Sequence, residues 1–438
     1  MADKLTRRDF FKGAIILVSG SVVATVAYLF DRSLRQTTVT QQTRTPGATA
    51  VAGQPAEPTA TNVPSSEQSP TPTEISVADA NPMPELEPSP MPNGLPGVTG
   101  ARFPGRVVHV THEDVHSWNY KDLNYWDLVN QPMVDDMVDH GLMSLTGQNT
   151  VEDAWRSLIP NYLPGEVVAI KVSFNNTYSE PGSVEMIDGI TEPINALIRG
   201  LHVIGVPYDS IVVYDSSRWL PKRFTDKCQY AGVLFRYSSH DPWGEGSAAV
   251  EFSPPGVSAF TQRLSKEVAQ ANYLINVPIM KWHGMAKLSL ALKNHYGSVD
   301  KPQDLHPWST LASPDFSTNY NPMVDLNNNP HIREKTILTL GDGIFAALRN
   351  NVGSFPRGWR TYVNKTPNSL FFSTDPVAID CVMGDFLSSE KIALGAGEVE
   401  PNAFACLALA ESAGLGVYDR GNPWQNTYTK IEYIKHEL

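Results

Sequence analysis

Residues Tyr273 to Lys301 read YLINVPIMKWHGMAKLSLALKNHYGSVDK. The run opens on Tyr273–Val277, apolar enough for a strand covered on both faces. Pro278 then breaks it, because proline cannot donate a ladder hydrogen bond. Beyond the break stand Lys281, His283, Lys287, Lys293 and His295, with apolar Met285, Leu288, Leu290, Ala291 and Leu292 between them. So many cationic and proton-transferring groups are unusual in a chain with 46 acidic and 34 basic residues, and they mark a site. The plainer alternative is the solvated face of a helix, with Lys287 on its exposed side.

The strand signature recurs on both sides of this stretch. Arg106–Thr111 (RVVHVT), Val167–Phe174 (VVAIKVSF), Ile211–Asp215 (IVVYD), Thr336–Leu340 (TILTL) and Phe371–Thr374 all read as short buried strands. Ile194–Ile204 has helical spacing and stops at Gly205. Asp375-Pro376 supplies an acidic N-cap and a proline at the first helical position for a helix over Val377–Leu387. Asn402–Ala413 is a further helix, closed by Gly414. This alternation predicts an α/β fold, a largely parallel, Rossmann-like sheet flanked by helices, as one domain over residues 101–438. Ligands of such sheets gather at the carboxyl ends of strands. Lys171, Asp215, Lys281, Asp342 and Asp375 all fall at or just past such ends. Ser238–Gly256 and Pro302–Arg333 break the alternation, and the second is long enough to serve as a lid.

The formal net charge is −12, which offers no basic footprint for nucleic acid. Thr6-Arg7-Arg8-Asp9-Phe10-Phe11-Lys12 precedes an apolar run from Gly13 to Phe30, a pattern that resembles a twin-arginine export signal. The expected partner is then the twin-arginine translocase, and the expected location is extracytoplasmic, in the periplasm or at the outer membrane face. Gly13–Phe30 is near the shortest spanning length of about 17 residues, and Val22-Val23-Ala24 is a fair cleavage site. Residues 1–30 therefore read as a cleaved signal or as a membrane anchor. Residues 31–100, rich in Pro, Thr and Ser, read as a disordered tether. Cys228, Cys381 and Cys406 include no CxxC pair, which argues against a disulfide framework and against an iron–sulfur cluster.

The residue types suggest chemistry without naming a substrate. Lys281, Lys293 and Lys171 suit a small anion, phosphate or carboxylate, with Asp215 as a further ligand contact, and Asn294 joins them only through the family resemblance given below. His283 or His295, with Lys281, would move a proton. Asp342 and Asp380, with His306, would hold a divalent metal. Each acid has a structural alternative: helix capping for Asp375, a buried salt bridge for Asp380, and a turn for Asp342-Gly343. No GxGxxG, P-loop or GxSxG pattern is present, so nucleotide-driven and serine-hydrolase chemistries have no basis. The expectation is an exported protein that binds a small anionic ligand, as a metal-assisted hydrolase or group transferase. The alternative is a non-catalytic metal- or cofactor-binding or assembly protein at the membrane surface.

Several blocks together resemble one family. NVPIMKWHGMAKLSLALKNHYGSVDKP, VVAIKVSFNN, IVVYDSSRWL, HPWST, NPMVDLNNNPHIREKTILTLGDGIF, FFSTDPVAIDCVMGDFL and AGLGVYD are similar, in order and spacing, to the blocks of domain of unknown function 362. Exported members of that family often carry twin-arginine signals. The resemblance implies the fold and marks Lys171, Asp215, Lys281, His283, Lys293, Asn294, His295, His306, Asp342, Asp375 and Asp380 as matched positions. Ser173 stands where the family has asparagine, and Ile279 where many relatives are basic. The cysteine-rich segment of some relatives is missing, so an electron-transfer role is not implied.

Overall fold

The computed structural model describes residues 102–438, apart from Leu123, Asn176 and residues 183–185, 253–261, 310–318 and 349–354. The export signal and tether expected over residues 1–100 lie outside these, as does part of the expected lid. Among the described residues no helix is long and apolar enough to cross a membrane.

The strands are β1 (Arg106–Thr111), β2 (Val168–Lys171), β3 (Ile211–Asp215), β4 (Leu234–Tyr237), β5 (Ala248–Val250), β6 (Gln262–Leu264), β7 (Tyr273–Asn276), β8 (Ile279–His283), β9 (Lys287–Ser289), β10 (Thr336–Ala347), β11 (Ser369–Ser373) and β12 (Glu432–Glu437). The main sheet runs β12-β1-β11-β10-β7-β2-β3-β4, with β8 on β10 and β9 on β8, while β5 and β6 form a separate hairpin. The pairings β12–β1, β10–β7, β7–β2, β2–β3 and β3–β4 are parallel, whereas β11 runs antiparallel to both β1 and β10. The α/β expectation holds, with this one reversed strand in the middle of the sheet.

The flanking helices used below are α1 (Gln131–Thr146), α2 (Val151–Leu158), α3 (Glu192–Val203), α4 (Ala291–Asn294), α5 (Pro376–Ala393) and α6 (Pro401–Ser412). Alternate residues of a strand face opposite sides of a sheet, and here both sides are covered. Val168, Ile170, Ile211 and Val213 join a core that includes Leu142 of α1, Trp155 of α2 and Leu197 of α3. Ala169, Val212 and Tyr214 join the core of Val382 and Phe386 of α5. This two-sided burial is why β2, β3 and β7 are continuous apolar runs. Helix α1 lies so close to the sheet that a Cβ on Gly141 would stand 2.2 Å from the Phe372 ring. Helix α5 starts as its sequence implies: Asp375 Oδ1 accepts from the amides of Val377 and Ala378 at 3.0 and 2.9 Å, and proline opens the first turn.

The structure excludes two of the local alternatives. The segment after Pro278 is not one helix face. Ile279–His283 and Lys287–Ser289 form an antiparallel hairpin, and the helical part is short, an α-helical turn over Ala291–Asn294 followed by a 3-10 turn over His295–Ser298. Asp342-Gly343 is not a turn either, since both residues lie inside β10 and pair with Leu370 and Ser369 of β11.

Candidate functional site

Strand ends build the site. Lys171 closes β2 and Asp215 closes β3, in adjacent parallel strands. Strand β7 stops at Asn276, level with Lys171. After Pro278 the chain resumes as β8, alongside the far half of β10, where Lys281 is in register with Ala347. Lys281 is thereby carried to the rim formed by the ends of β2 and β3. The β8–β9 hairpin then delivers α4, which carries Lys293 and Asn294.

These groups line one small cavity with about 40 Å³ of water-accessible space. Lys171, Ser173, Asn175, Asp215, Arg218, Lys281, Lys293, Asn294, Tyr296 and His306 are in its wall. Asp215 and Lys171 neutralise one another: Lys171 Nζ donates to Asp215 Oδ2 at 3.1 Å, and both side chains are buried. The Phe174 amide also donates to Asp215 Oδ2, and the Ser217 amide and hydroxyl donate to Oδ1. Asn276 Oδ1 accepts from Asn294 Nδ2 at 2.8 Å, and Asn294 Oδ1 lies 3.4 Å from Lys171 Nζ. Gly297 passes so near this pair that a Cβ there would stand 2.5 Å from Lys171 Nζ and 2.9 Å from Asp215 Oδ1. Its carbonyl accepts from the Ser216 amide at 3.0 Å.

Lys281 is different. Only 4% of it is exposed, and its ammonium makes no hydrogen bond to any described residue. Burial, partly offset by the more distant Asp188 and Asp215, pushes its pKa down to about 8. Lys293 is also buried, beneath the Tyr296 ring at 4.3 Å, and burial with the charges of Lys281 and Arg218 pushes its pKa down to about 7. Arg218 anchors its guanidinium on the Asn175 and Ser217 carbonyls, at 2.9 and 2.8 Å.

The two histidines beside the lysines are locked in defined tautomers. His306 Nδ1 lies 2.8 Å from the Pro302 carbonyl, which can only accept, so Nδ1 carries the hydrogen and Nε2 the lone pair. Lys293 Nζ donates to that Nε2 at 3.2 Å. His283 Nδ1 accepts from the amides of Met285 and Ala286 at 3.2 and 3.1 Å, so Nε2 holds its hydrogen. The two rings stack with centroids 5.5 Å apart. Burial, reinforced by Lys293, pushes the pKa of His306 down to about 4 and holds that of His283 far below its ordinary value. Both rings are neutral near pH 7.

Other expected site residues are placed elsewhere. His295 borders a second cavity with Asn276, Asn327, Ile332 and Thr374, and its Nδ1 is 3.3 Å from Ser298 Oγ. Asp375 leaves the rim because β11 runs antiparallel, so its end lies at the opposite edge, where Oδ2 accepts from the Gly105 and Val417 amides at 2.9 Å. Asp380 neither pairs with a lysine nor faces the cavity; its oxygens accept from the amides of Ala291 and Leu292 at 2.6 and 3.0 Å, fixing the start of α4. Asp342 Oδ1 accepts from the Ile344 amide at 3.1 Å. Burial pushes both of these carboxyls up to about 7. The expected metal set of Asp342, Asp380 and His306 is therefore not assembled. Among the described residues, no three or more His, Cys, Asp or Glu side chains converge as a metal-ligand group. Cys381 and Cys406 are buried free thiols whose pKa burial pushes up.

The sequence reasoning passed over Arg218, Asn276, Gly297 and Asp188. Arg218 follows Asp215 closely at a strand end, and the strand-end rule that selected Asp215 would have found it. Asp188 gave no such signal; it accepts from the Asn175 amide at 3.0 Å and from Thr177 Oγ1 at 2.6 Å, holding one wall of the cavity.

These geometric elements fall in a segment with a known description. Residues 168–385 match the family model described as Domain of unknown function (DUF362). That segment is similar to DUF362. It spans β2 to α5 and so contains every cavity residue named above. Among solved structures, the lactate racemase apoprotein from Thermoanaerobacterium thermosaccharolyticum aligns over 69% of this chain and 85% of its own, at 10% identity and a TM-score of 0.33. A likeness this slight bears on no residue of the site. No curated protein matches the chain.

Proposed function

We propose that the DUF362-like segment of this chain binds a small anion, carboxylate or phosphate, in the cavity bordered by Lys281, Lys293 and Arg218. The observation that carries this reading is the Lys281 ammonium, buried and without a hydrogen-bond partner among the described residues. A buried cation with no hydrogen-bonded counter-charge is costly, and a bound anion removes that cost. Asp215 is the one carboxylate among the described residues of the wall, and Lys171 already neutralises it. Asp188, whose charge also acts on Lys281, lies 3.6 Å from the Arg223 guanidinium, so Lys281, Arg218 and a protonated Lys293 exceed the negative charge around them. The small cavity favours a ligand of few atoms.

Titration calorimetry of the full chain with inorganic phosphate and with oxalate tests this. The expected result is one site per chain, weakened by salt and lost in Lys281→Met. No binding of either ion, or equal binding by the variant, overturns it. The reading also includes delivery across a membrane, supported by the Arg7-Arg8 signal pattern. Replacing both arginines by lysine should leave the chain in the cytoplasm of a host with a twin-arginine translocase; unchanged export would remove that part.

A further inference from the structure

Lys281 and Lys293 border the same cavity, yet their surroundings give them different roles. Lys281 has no hydrogen-bond partner among the described residues, so its ammonium is left to meet a charge on the ligand. The hydrogen-bond partner of Lys293 is not a carboxylate but the lone pair of His306 Nε2, 3.2 Å away. That lone pair is permanently presented, because the Pro302 carbonyl holds the hydrogen on Nδ1. The charges that act on Lys293 are the like charges of Lys281 and Arg218, and the Tyr296 ring covers it. Burial next to other cations is one of the ways a lysine becomes a nucleophilic amine.

We propose that Lys293 forms an imine with a small carbonyl compound of the 2-oxo acid class, whose carboxylate is held by Lys281 and Arg218. This inference rests on the anion-site reading above. The Lys293 amine attacks the carbonyl carbon, and a C–N bond forms. His306 Nε2 relays the first of the two nitrogen protons to the carbonyl oxygen, which becomes a hydroxyl, and the second to that hydroxyl as it departs. The C–O bond then breaks and water leaves, so that amine plus carbonyl gives imine plus one water, with no change of oxidation state. Arg218 and Lys281 stay charged throughout, and Asp215 remains paired with Lys171. The pKa values of both lysines are depressed by burial, and Lys293 is the further lowered by the neighbouring charges of Lys281 and Arg218, in agreement with this division.

The test uses the full chain with glyoxylate and cyanoborohydride, followed by peptide mapping, with calorimetry of oxalate in parallel. Oxalate is an anion of similar size that has no carbonyl able to form an imine. The expected result is close to one reduced adduct per chain, on Lys293, suppressed by excess oxalate. Adducts spread over surface lysines, or an adduct on Lys281, overturn the assignment. Oxalate binding without any adduct overturns the imine and leaves the anion site standing. Neither binding nor adduct overturns both.

Discussion

Replacing Lys281 with methionine removes a buried charge while keeping most of the side chain's volume. Lowering the lysine pKa from 10.5 to about 8 by burial corresponds to roughly 3 kcal/mol against the charged form, at about 1.4 kcal/mol per tenfold in proton affinity. Lys281 is almost wholly buried, so solvent screening takes little from that figure. Without ligand at pH 7, Lys281→Met should therefore be more stable than the natural chain, by up to roughly 3 kcal/mol in urea unfolding. The sign with pH follows from linkage. The folded-state pKa is below the unfolded one, so the penalty is complete below about pH 8 and is relieved as pH rises from about 8 to 10.5. The stability gap should close over that range. Added phosphate should narrow the gap at pH 7, because it stabilises only the chain that binds it. A variant less stable than the natural chain at pH 7, or a gap indifferent to both pH and phosphate, would refute the claim that this ammonium is uncompensated.

Three further outcomes are expected. Gly297→Ala places a Cβ 2.5 Å from Lys171 Nζ; it should cost about 1–3 kcal/mol by overpacking and weaken phosphate binding, as denaturant and calorimetric titrations would show. Asp380→Ala leaves the amides of Ala291 and Leu292 unpaired; chemical denaturation should show a loss of about 2 kcal/mol, with weaker anion binding because α4 carries Lys293. Anion affinity, measured by calorimetry across pH, should fall as pH rises through about 7 and 8, where Lys293 and Lys281 lose their charge. An affinity that rises over that interval would contradict the assignment of these two groups.

The buried strands were legible because a strand covered on both faces is written as an unbroken apolar run. Arg106–Thr111 and Ile211–Asp215 match the structure residue for residue, and Asp375-Pro376 announces α5. Of the residues that line the cavity, the strand-end rule pointed to Lys171, Asp215 and Lys281, the density of cations in Tyr273–Lys301 marked Lys293, and Asn294 was implied only by the family resemblance. What failed was direction and local period. Nothing in Ser369–Ser373 states that β11 runs backwards, and that reversal carries Asp375 to the opposite edge. The apolar residues from Leu288 to Leu292 fit a helix as well as the end of a hairpin, and the β8–β10 pairing decides between them. The role of Asp380 was invisible for another reason: its partners are main-chain amides 88 and 89 residues away, which carry no side-chain signature. The first long helix, α1, opens on Gln131-Pro132 with no side-chain cap and was not anticipated.

The central claim is that the rim of β2, β3 and β8 holds an anion on Lys281, Lys293 and Arg218. Diffraction from crystals soaked in bromide, read by anomalous scattering, tests it most directly. The account predicts an ordered bromide inside the cavity within contact of the Lys281 ammonium, and its loss in Lys281→Met. Bromide found only on exposed lysines, with the Lys281 cavity unoccupied, would contradict it.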